Sequence, residues 1–568
     1  MIVPTPPSEF NPSIPTSSSQ FVSRRSVREY IPDGPSVYEQ QSSDKIIFTL
    51  NSADSFWDAT NSYIRFKLGI TTGTGTNFTA QDQVARYLAS GGAHALFKNL
   101  TISLSNGTSI EQIERYSDLY HIIKSWTMSR DHVTQVEHTA ADSVFNAYRD
   151  RISPLGNQWT VVDNQNGVLA LTTLTGVLTG FTGIGAADIQ VGDELCVVLS
   201  ATNATNRTPT IVYCRVRSIE TDNNLTVEGH GSAIDIAAAG NTGIQIVYKW
   251  NRPTSARARG ASQVVASATT APGNDIIIKM KPLSNFLMNS KYVPLCFLKN
   301  LRIELTLNRA AHCLVVSKQN VNGTIIAPQH RVVLGDVRYV CNLVTPSEPL
   351  MNEFIKMYNG DGILYNYISY QYNLKVIEGS VSESVVIPSS CRSCLTVISA
   401  QYMDYSESVS GDAWSTDTIA TTIKGNVIEW YYQLGSELYP MNKALAYGQF
   451  NGDTFNHCQQ AFASHASKYE CNSIIPEEYY PINTVLRQDV AAGANLTNES
   501  LRFIMAARLD RTGPYSGVDI MSSNDLQLNI LRSAPVSGGG VQIRPYLRSY
   551  LVHNRSLSIS KNGSVVFS

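Results

Sequence analysis

The chain has 568 residues, a formal net charge of −2 and only 16% charged residues. One hydrophobic core does not grow to that length, so two to four domains of roughly 100–200 residues are expected. A charge balance so near zero excludes a protein whose main task is gripping phosphate backbones, which takes many Lys and Arg displacing counterions, and it removes the self-repulsion that keeps copies apart.

The start, MIVPTPPSEF, lacks a basic stretch leading into an apolar run, and no apolar stretch long enough to span a bilayer occurs, so neither classical secretion nor membrane crossing is expected. Nine cysteines are an odd number, and they are scattered through apolar runs such as VPLCFL around Cys296. Buried thiols in a reducing, intracellular folding compartment account for them. Asn-x-Ser/Thr matches at Asn99, Asn106, Asn224, Asn495 and Asn562 are the number chance gives in a chain rich in these residues.

Pro and Ser dominate residues 1–44, with a basic cluster at Arg24, Arg25 and Arg28, and this stretch reads as an extended arm. From Lys45 short alternating runs begin. Ile46, Phe48 and Leu50 share one face of KIIFTL, and Ile64, Phe66, Leu68 and Ile70 share one face of SYIRFKLGI, the signature of half-buried strands. LFKNLTISLSNGTSIEQI alternates up to Asn106-Gly107, a strong hairpin signal. RYSDLYHIIKSWTM then places Leu119, Ile122, Ile123 and Trp126 at helical spacing, with His121 beside them as a packed or surface residue.

Between residues 155 and 252 the texture shifts to Gly, Thr and Ala with few charges. VGDELCVVLS, IVYCRVRSI and NNLTVEG predict a small β-rich module inserted between two strands of the first sandwich and projecting outward. The Gly-rich GFTGIGAAD from Gly180 is followed by no helix pattern, so it is not read as a dinucleotide loop. Alternation resumes in NDIIIKMKPLSNFL, LKNLRIELTLN and RVVLGDVRYVCNLVTP. Pro346 stops the last of these, and EPLMNEFIKMYNGDG predicts a helix closed by Gly360 that links two halves.

The second half repeats this grammar in YNYISYQYNLKVIE, ESVVIP, CLTVISAQY, NVIEWYYQL, LRFIMAARL, DLQLNILR and YLRSYLVHNRSLSI. One helical interruption, TFNHCQQAFASHASKY, sits among them. Short strands separated by turns, without a helix after each, predict β-sandwiches rather than a parallel sheet.

Several segments, in their order, resemble double jelly-roll major capsid proteins such as those of Polinton-like viruses, adintoviruses and virophages. They are LFKNLTISLSNGTSIEQIERYSDLYHIIKSW, KPLSNFL with LKNLRIELTLN, RVVLGDVRYVCNLVTPSEPL, WYYQLGSELYPMNKAL and LDRTGPYSGVDIMSSNDLQLNILR. The resemblance covers about two-thirds of the chain, outside the 155–252 module. It implies an all-β fold of two tandem jelly-roll β-sandwiches with short helices. The arm would be 1–44, the first jelly roll 45–345 with the 155–252 insertion, the linker helix 346–362 and the second jelly roll 363–568. It also implies a non-enzymatic homotrimer forming a pseudo-hexameric capsomer of an icosahedral shell around double-stranded DNA. Its partners would be itself, penton and minor capsid proteins, and the packaged genome or an inner layer touched by the arm; its place would be the virion, after assembly inside the host cell. The 28 tyrosines suit such contacts, each offering a rigid apolar face and one hydroxyl.

No HExxH, Walker A loop or G-x-S-x-G elbow occurs, and no catalytic, cofactor-binding or metal residue and no small-molecule substrate is assigned. Cys391-Arg392-Ser393-Cys394 with His457, Cys458, His465 and Cys471 lacks the second close doublet of a zinc site and reads as incidental thiols. The competing readings are a carbohydrate-binding or tail-fibre recognition protein that uses the module, and a polysaccharide-cleaving β-sandwich enzyme. The missing repeats and heptads weigh against a fibre.

Overall fold

The computed structural model describes residues 22–40, 42–72, 86–88, 91–127, 159–163, 168–171, 175–179, 194–200, 210–221, 224–229, 243–250, 276–288, 291–298, 300–316, 320–321, 324–325, 330–402, 419, 422–446, 452–462, 499–500, 503–509, 517–521, 526–535, 537–538, 541–542 and 544–567. The Gly180 loop, His465 and Cys471 lie outside them.

The first half makes two antiparallel sheets. The main strands are β1 (Val22–Tyr30), β2 (Val37–Glu39), β3 (Lys45–Leu50), β4 (Phe56–Thr72), β5 (Phe97–Ser103), β6 (Ser109–Ile113), β7 (Ile276–Met280), β8 (Leu301–Leu307) and β9 (His330–Pro346). One sheet has the order β1-β9-β4-β7, with β2 also on β9; the other has the order β3-β8-β5-β6. The alternation seen in the sequence is what makes the layers: Ile46, Phe48 and Leu50 on β3 and Leu301, Ile303, Leu305 and Leu307 on β8 are buried, while the residues between them turn out.

The second half follows the same plan. Its strands are β10 (Ile363–Val376), β11 (Ser382–Ile387), β12 (Cys394–Tyr402), β13 (Val427–Leu434), β14 (Glu437–Leu445), β15 (Met505–Arg508), β16 (Leu526–Arg532), β17 (Tyr546–Ser560) and β18 (Gly563–Phe567). Its sheets run β10-β17-β12-β15, with β18 also on β17, and β11-β16-β13-β14. With the short β2 and the terminal β18 left out of the count, the first, eighth, third and sixth strands in chain order form one sheet in each half and the second, seventh, fourth and fifth form the other. Two eight-stranded, two-sheet sandwiches of this order are a double jelly roll.

In both halves a helix follows the fifth strand: α1 (Tyr116–Thr127) in the first and α3 (Gly452–Ala461) in the second. Between them α2 (Glu348–Asn359) joins the sandwiches. It carries Pro349 in its first turn, where a missing N–H costs nothing. Phe354 buries against Phe56 with ring centroids 4.8 Å apart, and Tyr358 stacks on Phe297 at 4.6 Å. After α1, seven strands between Trp159 and Trp250 form one antiparallel sheet that pairs, among the described residues, with neither sandwich.

Two elements depart from the sequence expectation, since the stretch read as an extended arm also holds β2, which pairs with β9 from Val37↔Gly335 to Glu39↔Val333. Residues 22–30, inside the stretch read as an extended arm, form β1 and pair antiparallel with β9 from Val22↔Pro346 to Tyr30↔Tyr339. The run VSRRSVREY has no apolar alternation because most of the strand is exposed; Tyr30 is its one buried side chain. Backbone pairing with β9 holds it there, a term that hydrophobic patterning does not report.

Candidate functional site

The most developed constellation of side chains is the seam where the first sandwich meets the outer face of the second sandwich's five-stranded sheet. The second sandwich brings two long paired strands: β10 and β17 match over their whole length, from Ile363↔Ile559 to Val376↔Tyr546. The first brings α1, its edge strand β6 and the turns of residues 283–298.

Alternation in YNY puts Tyr365 and Tyr367 on one face of β10, and their hydroxyls enter this seam. Tyr365 Oη donates to the Tyr292 carbonyl at 2.5 Å and Tyr367 Oη to the Ile110 carbonyl at 2.7 Å. Asn285 Nδ2 donates to Tyr370 Oη at 2.8 Å, and the Phe286 ring meets Tyr367 edge-on at 5.3 Å. Arg555 Nη1, from β17, donates to the same Ile110 carbonyl at 2.8 Å, so the free edge of β6 is capped by two side chains of the other sandwich. Such capping removes an edge that would otherwise recruit another strand. At the far end Trp126 of α1 stacks on Phe462, just past α3, with centroids 5.6 Å apart and planes 7° from parallel.

Two charged groups of the first sandwich are buried in the seam. Asp118, in the first turn of α1 where the helix dipole favours an anion, pairs with Arg548 of β17, and the Arg548 guanidinium lies 4.1 Å over the Tyr402 ring. Burial opposes the charge on Arg548, but Asp118, with Tyr402 and Tyr550 behind it, more than restores it and raises its pKa above the usual arginine value. Tyr550 Oη donates to the Arg115 carbonyl at 3.3 Å beside this pair.

The second charged group is Glu111 on β6, fully buried. Burial pushes its carboxyl up to about 7, against the hydrogen bond from Ser284 Oγ and the field of Arg555. His312 is driven the other way: burial lowers it to about 4, against the pull of Asp118. Near neutral pH the seam therefore holds one firm ion pair, one carboxyl near its titration point and one neutral imidazole.

Among the described residues, the members of the thiol and imidazole constellation do not gather. Cys391 Sγ faces Gln371 Oε1 at 3.0 Å, Cys394 Sγ faces the Thr396 carbonyl at 3.7 Å, and Cys458 Sγ faces the Ile504 carbonyl at 3.4 Å. His457 Nε2 lies 3.3 Å from Asp453, one turn back on α3. Burial raises the thiols of Cys391 and Cys394, which keeps them protonated, and among the described residues no three His, Cys, Asp or Glu side chains converge on one point. His121 is buried on α1. Sequence reading did not find the seam, because Asp118 and Arg548 stand 430 positions apart; the density of tyrosine in β10 was the signal it left.

No family model matches the chain, and no curated protein matches it. Among solved structures, that of the Sputnik virophage is similar with a TM-score of 0.46 and 11% identity, over 100% of this chain and 93% of that one. The Faustovirus major capsid protein is similar with a TM-score of 0.46 and 8% identity, over 96% and 92% of the two chains. The mavirus major capsid protein gives 0.41 and 10%, over 100% and 95%.

Proposed function

We propose that the chain is a major capsid protein: a building block that assembles with copies of itself, as a homotrimeric, pseudo-hexameric capsomer, into an icosahedral shell around a double-stranded DNA genome. The observation that carries this reading is the repeated sandwich plan locked by a buried seam. A unit with two equivalent sandwiches held rigidly side by side presents three-fold symmetric copies as six similar blocks, which fills a hexagonal lattice site. Within the described residues, the ordered segments that resemble double jelly-roll major capsid proteins fall on strands, turns and helices of both sandwiches.

In this reading the units of the chain are the two jelly rolls either side of the linker at 346–362, and the 155–252 module is an insertion between the fifth and sixth strands of the first. β1 belongs to that first jelly roll, which leaves the residues before it as the arm. Penton and minor capsid proteins and neighbouring capsomers are the partners, the virion is the place, and assembly occurs inside the host cell. The role is structural, with no turnover.

The test is assembly of the full chain. Measured in solution and imaged by negative stain, it should give the mass of three chains and flat hexagonal particles or shells; a stable monomer that binds glycans would replace this reading with that of a recognition protein.

A further inference from the structure

Cys391 and Cys394 bind no common group with the histidines, but they stand beside each other. Only Arg392 and Ser393 separate them, in a bend that leads into β12, and both cysteines are buried. No other two of the nine cysteines are so close in sequence. C-x-x-C is the spacing that redox-active thiol pairs use, because a short turn can bring its two sulfurs within bonding reach.

One short segment, residues 517–521, holds both ends of the bend. Val518 exchanges backbone hydrogen bonds with Cys394 in both directions, at 2.8 and 2.9 Å, and the Ile520 and Met521 N–H groups both donate to the Cys391 carbonyl at 3.2 Å. Gly517 lies against Ser393 so closely that a Cβ there would overlap the Ser393 carbonyl group. From β17, the Asn554 N–H donates to that carbonyl at 3.0 Å and Asn554 Nδ2 to the Ser393 hydroxyl at 2.9 Å. Gln371 of β10 fixes the approach to the bend, accepting from the Ser390 N–H at 3.2 Å and from the Cys391 thiol at 3.0 Å. The two thiols are not equivalent. Burial raises both, and Cys391 raises Cys394 further, whereas the Ser389 hydroxyl and the Arg555 guanidinium draw Cys391 back down. Cys391 is therefore the sulfur that reaches the thiolate first.

We propose that Cys391 and Cys394 are a reversible redox pair, joined by a disulfide in an oxidising medium, and that segment 517–521 gates the reaction by covering the bend that carries them. Hydrogen peroxide serves as the oxidant. The Cys391 thiolate attacks one peroxide oxygen and displaces hydroxide, which leaves as water with the thiol proton. The Cys394 sulfur then attacks the sulfenic acid so formed, its own proton goes to the departing oxygen, and a second water leaves. In sum two thiols lose two hydrogens with their electrons and one peroxide becomes two waters. The new bond ties the start of β12 to the residue before its bend, which narrows the open states that segment 517–521 can lift away to reach. A chain kept in a reducing medium carries the open pair, and transfer to an oxidising one closes it. The proposal stands independently of the assembly reading.

The experiment treats the full chain with hydrogen peroxide, denatures it in N-ethylmaleimide and maps its peptides by mass. The peptide that carries both cysteines should escape alkylation, weigh two hydrogens less than its reduced form, and become alkylated again after dithiothreitol. Amide hydrogen exchange at Val518, Ile520 and Met521 should slow several-fold in the oxidised chain. Cys394→Ser should stop at a sulfenic acid on Cys391, trapped by dimedone, while Cys391→Ser should leave Cys394 open to alkylation. Gly517→Ala, which lifts the segment off Ser393, should speed disulfide formation several-fold; should that variant fail to fold, exchange in the native chain still reads the gate. Cysteines that both remain alkylated after peroxide, or that oxidise singly without joining, overturn the pair. Equal rates in Gly517→Ala and native protein, or exchange that oxidation leaves unchanged, overturn the gate.

Discussion

The central strand pairs of the two sandwiches differ on one side only. Over residues 62–68 of β4 and 331–338 of β9 one face is buried and the other carries Arg65, Lys67, Arg331 and Arg338, while β12 buries both faces along its whole length and β17 does so over Ser549–His553. Most polar groups that β12 buries are paired: Thr396 Oγ1 donates to the Ala461 carbonyl at 3.1 Å, Ser399 and Ser549 hydroxyls meet at 2.7 Å, and Gln401 Oε1 accepts from Arg532 Nη2 at 3.0 Å, while Gln401 Nε2 and the Tyr402 hydroxyl are buried without a hydrogen bond. A strand placed between two layers thus loses the alternation that marks a half-buried one, and its polar side chains are tolerated because most of their polar groups are paired. The comparison separates what a jelly roll needs, one covered face, from what the second sandwich has added by docking on the first.

Removing the docking contact gives the sharpest test of that separation. Asp118→Ala leaves Arg548 charged in a buried seam without its counter-ion, and a loss of about 3–5 kcal/mol in unfolding free energy is expected from denaturant titration. The paired change Asp118→Leu with Arg548→Met removes both charges and should recover most of that loss. A single variant that costs less than about 1 kcal/mol would show that the seam is held by its tyrosines and that the ion pair only tunes it.

The cores, by contrast, should respond alike. Leu305 on β8 lies between Ile46 and Leu100, and Leu528 on β16 lies between Val385 and Tyr432; both leucines are fully buried on the seventh strand of their sandwich. Leu305→Ala and Leu528→Ala should each cost about 2–5 kcal/mol. Costs that differ by more than that spread, as read from paired melts, would mean that one sandwich leans on the other for its core as well as for its outer face.

Much of this comparison was open to reading in the residues. Most strands from β3 to β17, α1, α2 and the Asn106-Gly107 hairpin follow from hydrophobic period and turn chemistry, which are local, whereas β18 was not read from the sequence and β14 was marked only by the family resemblance. β1 was hidden because its exposed side chains carry no period, and the length of β4 was hidden because Phe56–Ala59 is buried on both faces by contacts with distant segments, such as Val293 against Trp57. The seam was hidden for the same reason at larger scale: Tyr367, Arg555 and Ile110 converge only once both sandwiches exist. Sequence pattern reports which face of a strand is covered and is silent on what covers it.

Glu111 offers a pH-dependent way to sharpen the contrast between seam and core. Its carboxyl titrates near 7 in the folded protein against an ordinary value of 4.5, because burial disfavours the charge. A raised folded value means that the folded state holds the proton more tightly, so the contribution to stability is full below about 4.5, falls as pH rises toward 7, and is gone above it. The span is about 3 kcal/mol at most. Glu111→Gln should flatten this dependence, leaving the variant more stable than the native chain at pH 8 and no more stable at pH 4.5; equal slopes in the two proteins would show that Arg555 and Ser284 satisfy the carboxylate as it stands.

The smallest expected effect concerns the hairpin that joins the fourth and fifth strands in each half. Between β5 and β6 the turn carries Gly107 at φ +85°, with Gly107 N–H donating to the Leu104 carbonyl at 3.0 Å, and between β13 and β14 it carries Gly435 at φ +59°. A Cβ at either position would meet nothing within 4 Å, so the demand for glycine is one of backbone conformation rather than space. Gly107→Ala and Gly435→Ala should therefore cost about 1 kcal/mol each, and, because the two turns belong to separate sandwiches, the double variant should cost their sum. A double variant that costs clearly more or less than that sum would show the two turns coupled through the seam.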